Sequence, residues 1–251
     1  AGGIHYDVSG IPDADLRRDL ERRDFTVNAM ACALAKAALV DPCGGRADLH
    51  RRCLRMTRPG VFAADPARLL RAFRLEGALG FRLDGPTREA IAREAHRLPR
   101  VAGERIREEV AKLLTLPVAV PQLEGLAAAG LLGRLLPEAY NAGSLDHGVA
   151  LCAKLEAALA GPSDLHPRLR ARYAVPGGER RLFRIKLAAL LLPRPGPDGA
   201  PGAPLPGSAD PATAAWGGWH LARRDEAALA VLIGRQSLAR DLLSAHREDH
   251  L

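Results

Sequence analysis

Hydrophobic and polar positions change rhythm near residue 60. Before it, short alternating stretches and turn residues dominate. Ile4, Tyr6 and Val8 alternate with His5 and Asp7, which predicts a short strand closed by Ser9-Gly10. A charged stretch from Asp13 to Asp24 leads into Phe25 to Leu39, whose alanine-rich apolar pattern holds neither glycine nor proline and reads as a helix. Asp41-Pro42-Cys43-Gly44-Gly45 ends it, since proline lacks an amide donor and glycine opens positive φ. Cys53 to Thr57 reads as a second strand.

After residue 60 the period is helical throughout. Ala64 to Leu79 is one amphipathic stretch, with Pro66 in its first turn and Gly80 as its stop. Pro86 to Leu98, Gly103 to Leu116, Pro121 to Leu136, Asp146 to Ala160 and Leu182 to Leu192 continue the pattern. The run from Pro193 to Pro211 holds seven prolines and four glycines and predicts a surface loop or linker. Helix is expected again from about Trp216 to Leu243, before a polar, frayed end from Ala245 to Leu251. The pattern therefore predicts a mainly α chain with a small β-containing N-terminal part.

Composition narrows the class. The chain has 251 residues, 47% hydrophobic and 26% charged, which excludes wholesale disorder, collagen and a disulfide scaffold. A net charge of +7 suits an anionic partner such as nucleic acid. Only four of the 36 basic residues are lysine (Lys36, Lys112, Lys154, Lys186), so a GC-rich genome accounts for much of the arginine excess, and position has to decide what the charge does. Cys32, Cys43, Cys53 and Cys152 form no CxxC pair and read as reduced thiols of a cytoplasmic protein. No apolar run reaches the 18 residues of a membrane span, and the N-terminus lacks the order of a signal peptide.

Two segments carry candidate chemistry. In Asp19 to Ala31 (DLERRDFTVNAMA), Arg22 and Arg23 precede a predicted helix start whose free N–H groups suit a phosphate, and Asp24 and Asn28 lie four apart on one face. In Asp65 to Arg74 (DPARLLRAFR), the three-residue spacing of Asp65, Arg68, Arg71 and Arg74 makes a slowly drifting stripe. Asp65 can accept from the exocyclic amine of cytosine or adenine while Arg68 donates to the neighbouring ring nitrogen; uracil and guanine present the opposite polarity. Arg71 and Arg74 are left for phosphates or carboxylates. Alone, the first segment reads rather as a capped helix with solvated charges and the second as a surface ion pair with two solvated arginines.

Together they resemble the bacterial class II nucleotidyltransferase family of tRNA CCA-adding enzymes and poly(A) polymerases. DLERRDFTVNAMA is similar to the family's RRDFTxNA motif, and DPCGGRADLHRRCLR (Asp41 to Arg55) to its DPxGGxxDLxxxxLR segment. FAADPARLLRAFRLEGALGF (Phe62 to Phe81) resembles the nucleotide-templating helix and GERIREEVAKLL (Gly103 to Leu114) the neck motif ERIxxExxKLL. LEGLAAAGLLGRLLPE (Leu123 to Glu138) continues the family's helical body. The motifs are colinear, and the resemblance covers about residues 4 to 160 well.

The resemblance implies the C-terminal part of an α+β nucleotidyltransferase head over 1–57, a helical neck with nucleotide template and RNA-binding region over 58–116, and a helical body over 117–251 with a flexible loop at 193–215. It implies addition of CMP and AMP from CTP and ATP to a tRNA 3′ end by two-metal phosphoryl transfer with Mg2+. Poly(A) addition is the alternative. Arg23 would hold the incoming triphosphate, Asp24 and Asn28 the sugar and phosphate side, Asp65 and Arg68 the base, and Arg71 and Arg74 would complete the pocket. Gly44, Gly45 and Asp48 would shape the turn that closes the head.

The sequence also departs from the family. The GGxVRD loop and the DxD pair that would hold the metals are missing, leaving Asp7 as a third carboxylate and metal ligand. Ala64 stands where the family often carries an acidic residue, and no LLHDxGK hydrolase signature follows. The chain opens on Ala1, which leads to the expectation of an N-terminally incomplete enzyme, or a catalytically silent RNA-binding piece, with an exposed edge at Ile4 to Val8 and a weakly stable N-terminal fifty residues.

Overall fold

Asp15 starts the first helix, α1 (Leu16–Glu21), by accepting the Arg18 N–H at 3.0 Å. In this computed structural model the described residues are 10–11, 15–33, 38–141, 143–160 and 178–192. The expected strand at Ile4 to Val8 with Asp7, the proline-rich run and the helix expected from Trp216 lie outside them.

The helix expected over Phe25 to Leu39 is not formed. Phe25 is extended instead: the Thr26 N–H donates to the Arg55 carbonyl at 2.9 Å, the Thr57 N–H to the Asp24 carbonyl at 3.1 Å, and Phe25 and Met56 form an antiparallel bridge. A 3-10 turn over Thr26–Asn28 follows, and β1 (Ala31–Ala33) pairs antiparallel with β2 (Ala38–Val40), Ala31 opposite Val40. Alanine favours helix by only fractions of a kcal/mol per residue. Pairing with residues 55–57, which holds Phe25 wholly in the core, overrides that local preference.

Asp41 caps α2 (Gly45–His50) with both carboxylate oxygens, accepting from the Gly45 N–H at 2.7 Å and the Arg46 N–H at 3.0 Å. A Cβ on Gly45 would lie 2.1 Å from the Thr26 carbonyl oxygen, so no side chain fits there. Buried Asp48 accepts the Thr26 hydroxyl at 2.7 Å and Arg55 Nε at 2.9 Å, tying α2 to the 3-10 turn and to the chain after β3 (Cys53–Leu54). β3 runs parallel to β4 (Arg82–Leu83), so the chain beyond residue 60 is not wholly helical. Two residues are too short to show a period, and the pairing forms because Gly80, at φ 63°, stops the preceding helix and turns the chain back.

The helix expected from Ala64 to Leu79 is divided into α3 (Val61–Ala64) and α4 (Arg68–Leu79). Asp65 is extended at the break, because the residue before a proline is disfavoured in the α region. Then come α5 (Gly85–Glu94), capped by Asp84 and prolonged as a 3-10 helix over Ala95–Arg100, and α6 (Gly103–Leu114). The stretch expected as one helix from Pro121 to Leu136 breaks at Gly130 into α7 (Val120–Ala128) and α8 (Leu132–Leu135). Last among the described residues are α9 (Pro137–Asn141), α10 (Leu145–Ala160) and α11 (Gly178–Leu191).

α4 packs on α6 and α7, and α10 on α11. One core runs from Phe25 and Leu54 through Phe62, Leu70 and Phe73 to Leu113, Leu126 and Leu187. Among the described residues no helix is long and apolar enough to cross a membrane.

A charged pair lies inside the helical body. Lys186 on α11 is fully buried; its ammonium donates to Glu156 Oε1 on α10 and to the Leu116 carbonyl, each at 2.6 Å. Glu156 also accepts the Ala119 N–H at 2.7 Å. Lys186→Met leaves that carboxylate buried without its cation and is expected to cost about 3–5 kcal/mol in urea unfolding. The double variant Lys186→Met/Glu156→Gln, which removes the orphaned charge, is expected to recover part of the loss.

Candidate functional site

The 3-10 turn after α1, the start of α4 and one face of α6 meet around a cluster of arginines and carboxylates. Asp24 is nearly buried. Its Oδ1 accepts the Phe25 N–H at 2.8 Å and Asn28 Nδ2 at 3.2 Å, and its Oδ2 accepts Arg71 Nη1 at 3.2 Å. Asp24 and Asn28 are thus brought together as their spacing suggests, but by a 3-10 turn rather than a helix face. Arg23 donates to the Asn28 carbonyl and to Asp19, both at 3.2 Å, and its side chain stays 48% exposed, open to an anion.

Arg71 and Arg74 meet carboxylates, not open space. Arg71 Nε donates to Glu109 Oε1 at 3.0 Å, and Arg74 Nε to Glu109 Oε2 at 2.6 Å. Partial burial pulls the Arg71 guanidinium down, but its bonds to Glu109 and Asp24 outweigh that and hold it above its ordinary value. Asp24, Arg71, Glu109 and Arg74 therefore form one continuous chain of ion pairs across the turn, α4 and α6.

Asp65 and Arg68 stand side by side at the entrance to α4. Asp65 Oδ2 accepts Arg105 Nη2 from α6 at 2.8 Å, and its Oδ1 accepts the Ala67 N–H at 3.3 Å. Arg68 Nη1 donates to the Arg22 carbonyl at 3.1 Å. Arg68 Nε is 3.7 Å from Asp65 Oδ2, too far for a hydrogen bond, and is buried with no partner among the described residues. Burial pushes the Asp65 carboxyl up, yet the Arg105 bond and charge, the Ala67 N–H and the Arg68 charge together hold it below the usual aspartate value. The arrangement offers an acceptor and an unused donor next to each other, below an exposed arginine.

Arg105 and Glu109 were not among the residues picked out from the sequence. Their signal was present: they are the first arginine and the last glutamate of GERIREEVAKLL, four apart on one face of α6. Gly44 precedes α2, Gly45 packs against the Thr26 carbonyl and Asp48 accepts the Thr26 hydroxyl, which brings these three residues to the 3-10 turn. Among the described residues no three His, Cys, Asp or Glu side chains gather to hold a metal ion. Asp24, Asp48, Asp65 and Glu109 are each bonded to an arginine, so they do not suit Mg2+, and Asp7 lies outside the described residues.

Residues 7–55 match the family described as "Poly A polymerase head domain", and residues 80–142 the family described as "Probable RNA and SrmB- binding site of polymerase A". Over 194 residues the chain is 39% identical to a CC-adding tRNA nucleotidyltransferase of Geobacter sulfurreducens, covering 75% of this chain and 45% of that protein. Over 153 residues it is 42% identical to an A-adding tRNA nucleotidyltransferase of Deinococcus radiodurans, covering 59% of this chain and 35% of that protein. Among solved structures it is similar to a Thermotoga maritima CCA-adding enzyme complexed with tRNA, with a TM-score of 0.57 and 27% identity over 70% of this chain and 41% of that one. A CCA-adding enzyme with ATP also matches, with a TM-score of 0.57 and 26% identity over 73% of this chain and 42% of that one. The chain spans less than half the length of these curated relatives.

The depressed Asp65 carboxyl sets a sign for pH dependence. Its stabilising contribution is fully present above the ordinary value of 3.8 and is lost as pH falls through the lower folded value. The stability gap between wild type and Asp65→Asn is expected to be at most about 1 kcal/mol near neutrality, since the pair is partly exposed. In acid titrations followed by circular dichroism it is expected to close only below about pH 4. A gap that closes near pH 6 would contradict the assignment.

Proposed function

Because the chain belongs to the class II nucleotidyltransferase family and represents only part of such a protein, we propose that the whole protein adds CMP and AMP, from CTP and ATP, to the 3′ end of tRNA. The observation that carries this reading is the partly exposed pair formed by Asp65 and Arg68 near the exposed Arg23. Asp65 accepts from the exocyclic amine of cytosine or adenine, and the Arg68 guanidinium donates to the adjacent ring nitrogen. Uracil and guanine would set carbonyl against carboxylate and N–H against guanidinium. Arg23 meets the triphosphate. Asp24 and Asn28, bonded to each other, line the sugar and phosphate side, and Arg71 and Arg74 complete the pocket by locking its wall to α6.

The same proposal places a partial head over 1–57, a neck over 58–116 and a body over 117–251 with a loop at 193–215. A cytoplasmic setting goes with it, supported by four free cysteines. Mg2+, with Asp7 as one contributing carboxylate, belongs to the proposal for the whole protein; base recognition by Asp65 and Arg68 does not depend on it.

A second reading is addition of A alone, including poly(A). The A-adding relative favours it, and Asp65 with Arg68 accommodates adenine as well as cytosine. This chain on its own could also act as a silent RNA-binding piece, which would shift RNA in a salt-dependent way and never extend it.

Nucleotide incorporation into tRNA by the whole protein separates these readings: CTP followed by ATP supports CCA addition, ATP alone the second reading. Arg68→Ala is expected to reduce the preference for CTP and ATP over UTP and GTP by about 10- to 100-fold, with little change in RNA affinity. An equal loss for all four nucleotides would count against the base-reading role.

A further inference from the structure

Asp65 lies between two guanidinium groups that compete for it. Arg105 Nη2 holds its Oδ2 at 2.8 Å, while Arg68 Nε stays 3.7 Å from the same oxygen, buried and unpartnered. A buried donor so close to a carboxylate gains by closing the gap, because that supplies the hydrogen bond it lacks. The backbone does little to prevent closure. Asp65 is extended ahead of Pro66 and sits outside α4, so no helical turn fixes its side chain.

Few groups could keep the two apart. Arg71 is committed to Asp24 and Glu109, and Arg74 to Glu109. The Ala67 N–H holds Asp65 Oδ1 only at 3.3 Å. Arg105 alone, among the described side chains, pulls Oδ2 away from Arg68. Its reach is set by Glu109, one turn further along α6, which pins that helix to α4 through both arginines.

We infer that Arg105 is a positioning residue for base selection, which holds Asp65 off Arg68 and so keeps its carboxylate available as the acceptor for an incoming base. This rests on the base-reading role of Asp65 and Arg68. With Arg105 removed, Asp65 closes on Arg68 and the pair satisfies itself. The Asp65 oxygen that a cytosine or adenine amine needs is then occupied from within by the buried Arg68 Nε–H. Partial burial lowers the Arg105 guanidinium, but the Asp65 bond is the larger influence and raises it, which agrees with a tight contact in the nucleotide-free site.

The test is calorimetric binding of CTP, ATP, UTP and GTP to the 251-residue chain and to two variants, Arg105→Met and Arg105→Lys, with thermal unfolding of each without ligand. In Arg105→Met, affinity for CTP and ATP is expected to fall about tenfold, the worth of one hydrogen bond, with UTP and GTP unchanged. The ligand-free midpoint is expected to hold or rise, since a buried orphan donor has been satisfied. Arg105→Lys keeps a cation against Asp65 and is expected to retain most of the preference. If wild type shows no preference for CTP and ATP, the base-reading role fails and the inference with it. If wild type discriminates and Arg105→Met discriminates equally, the inference alone is overturned. An equal loss for all four nucleotides with a lower midpoint would make Arg105 a structural residue only, which also overturns it.

Discussion

Glu109 is the constraint from which the rest of the site follows. It sits in the wall between α4 and α6 with only 5% of its surface exposed, where an ionised carboxylate is tolerated only if it is paired and hydrogen-bonded. Arg71 and Arg74, one turn apart on α4, supply both bonds. Because Arg71 also reaches Asp24, the same carboxylate indirectly fixes the turn that carries Arg23 and Asn28. Because Arg105 lies one turn earlier on α6, it also sets the distance from which Asp65 is held. Losing Glu109 would take away the Arg74 bond and leave Arg71 with Asp24.

The small N-terminal part is attached by a different means. Its strands are two or three residues long and provide little pairing of their own. What holds it is a polar latch, with Thr26 and Arg55 converging on buried Asp48 and the Asp41 carboxylate capping α2, together with Leu20, Phe25 and Leu54 buried completely. Phe25 tilts against Phe62 at 6.4 Å between ring centres, so this part shares the core of the helices that follow it. That sharing places Arg23 and Asp24 against α4 instead of on a separate lobe.

The helices were legible because their apolar period is long. α5, α6, α10 and α11 each lie where the period puts them, within a few residues at the ends. Phe25 to Leu39 was misread because the interactions that fix it come from residues 55–57 and from Asp48, which no window of local sequence contains. β4 was missed because two residues have no period. Asp65 was assigned to a helix, although Pro66 was visible beside it and disfavours that conformation. The site was half legible in the same sense. Asp65, Arg68, Arg71 and Arg74 share one short segment, and their spacing shows. Arg105 and Glu109 meet their partners across 35 to 40 positions of sequence, and spacing alone cannot show that.

The position of α6 is fixed at both ends by charge. Near its start, Arg105 and Glu109 grip Asp65, Arg71 and Arg74. Just past its end, the Leu116 carbonyl accepts from Lys186, which is fully buried and also bonded to Glu156. Glu156 in turn accepts the Ala119 N–H at the start of α7, so the turn between α6 and α7 is held by two body helices. A displacement of α10 or α11 along that turn would strain a buried ion pair at one end of α6 and a row of arginine bonds at the other. Buried pairs of this kind tolerate little stretching before a charge is left uncompensated. α6 thereby links the body to Asp65, Arg71 and Arg74 through charged contacts near its start and just past its end.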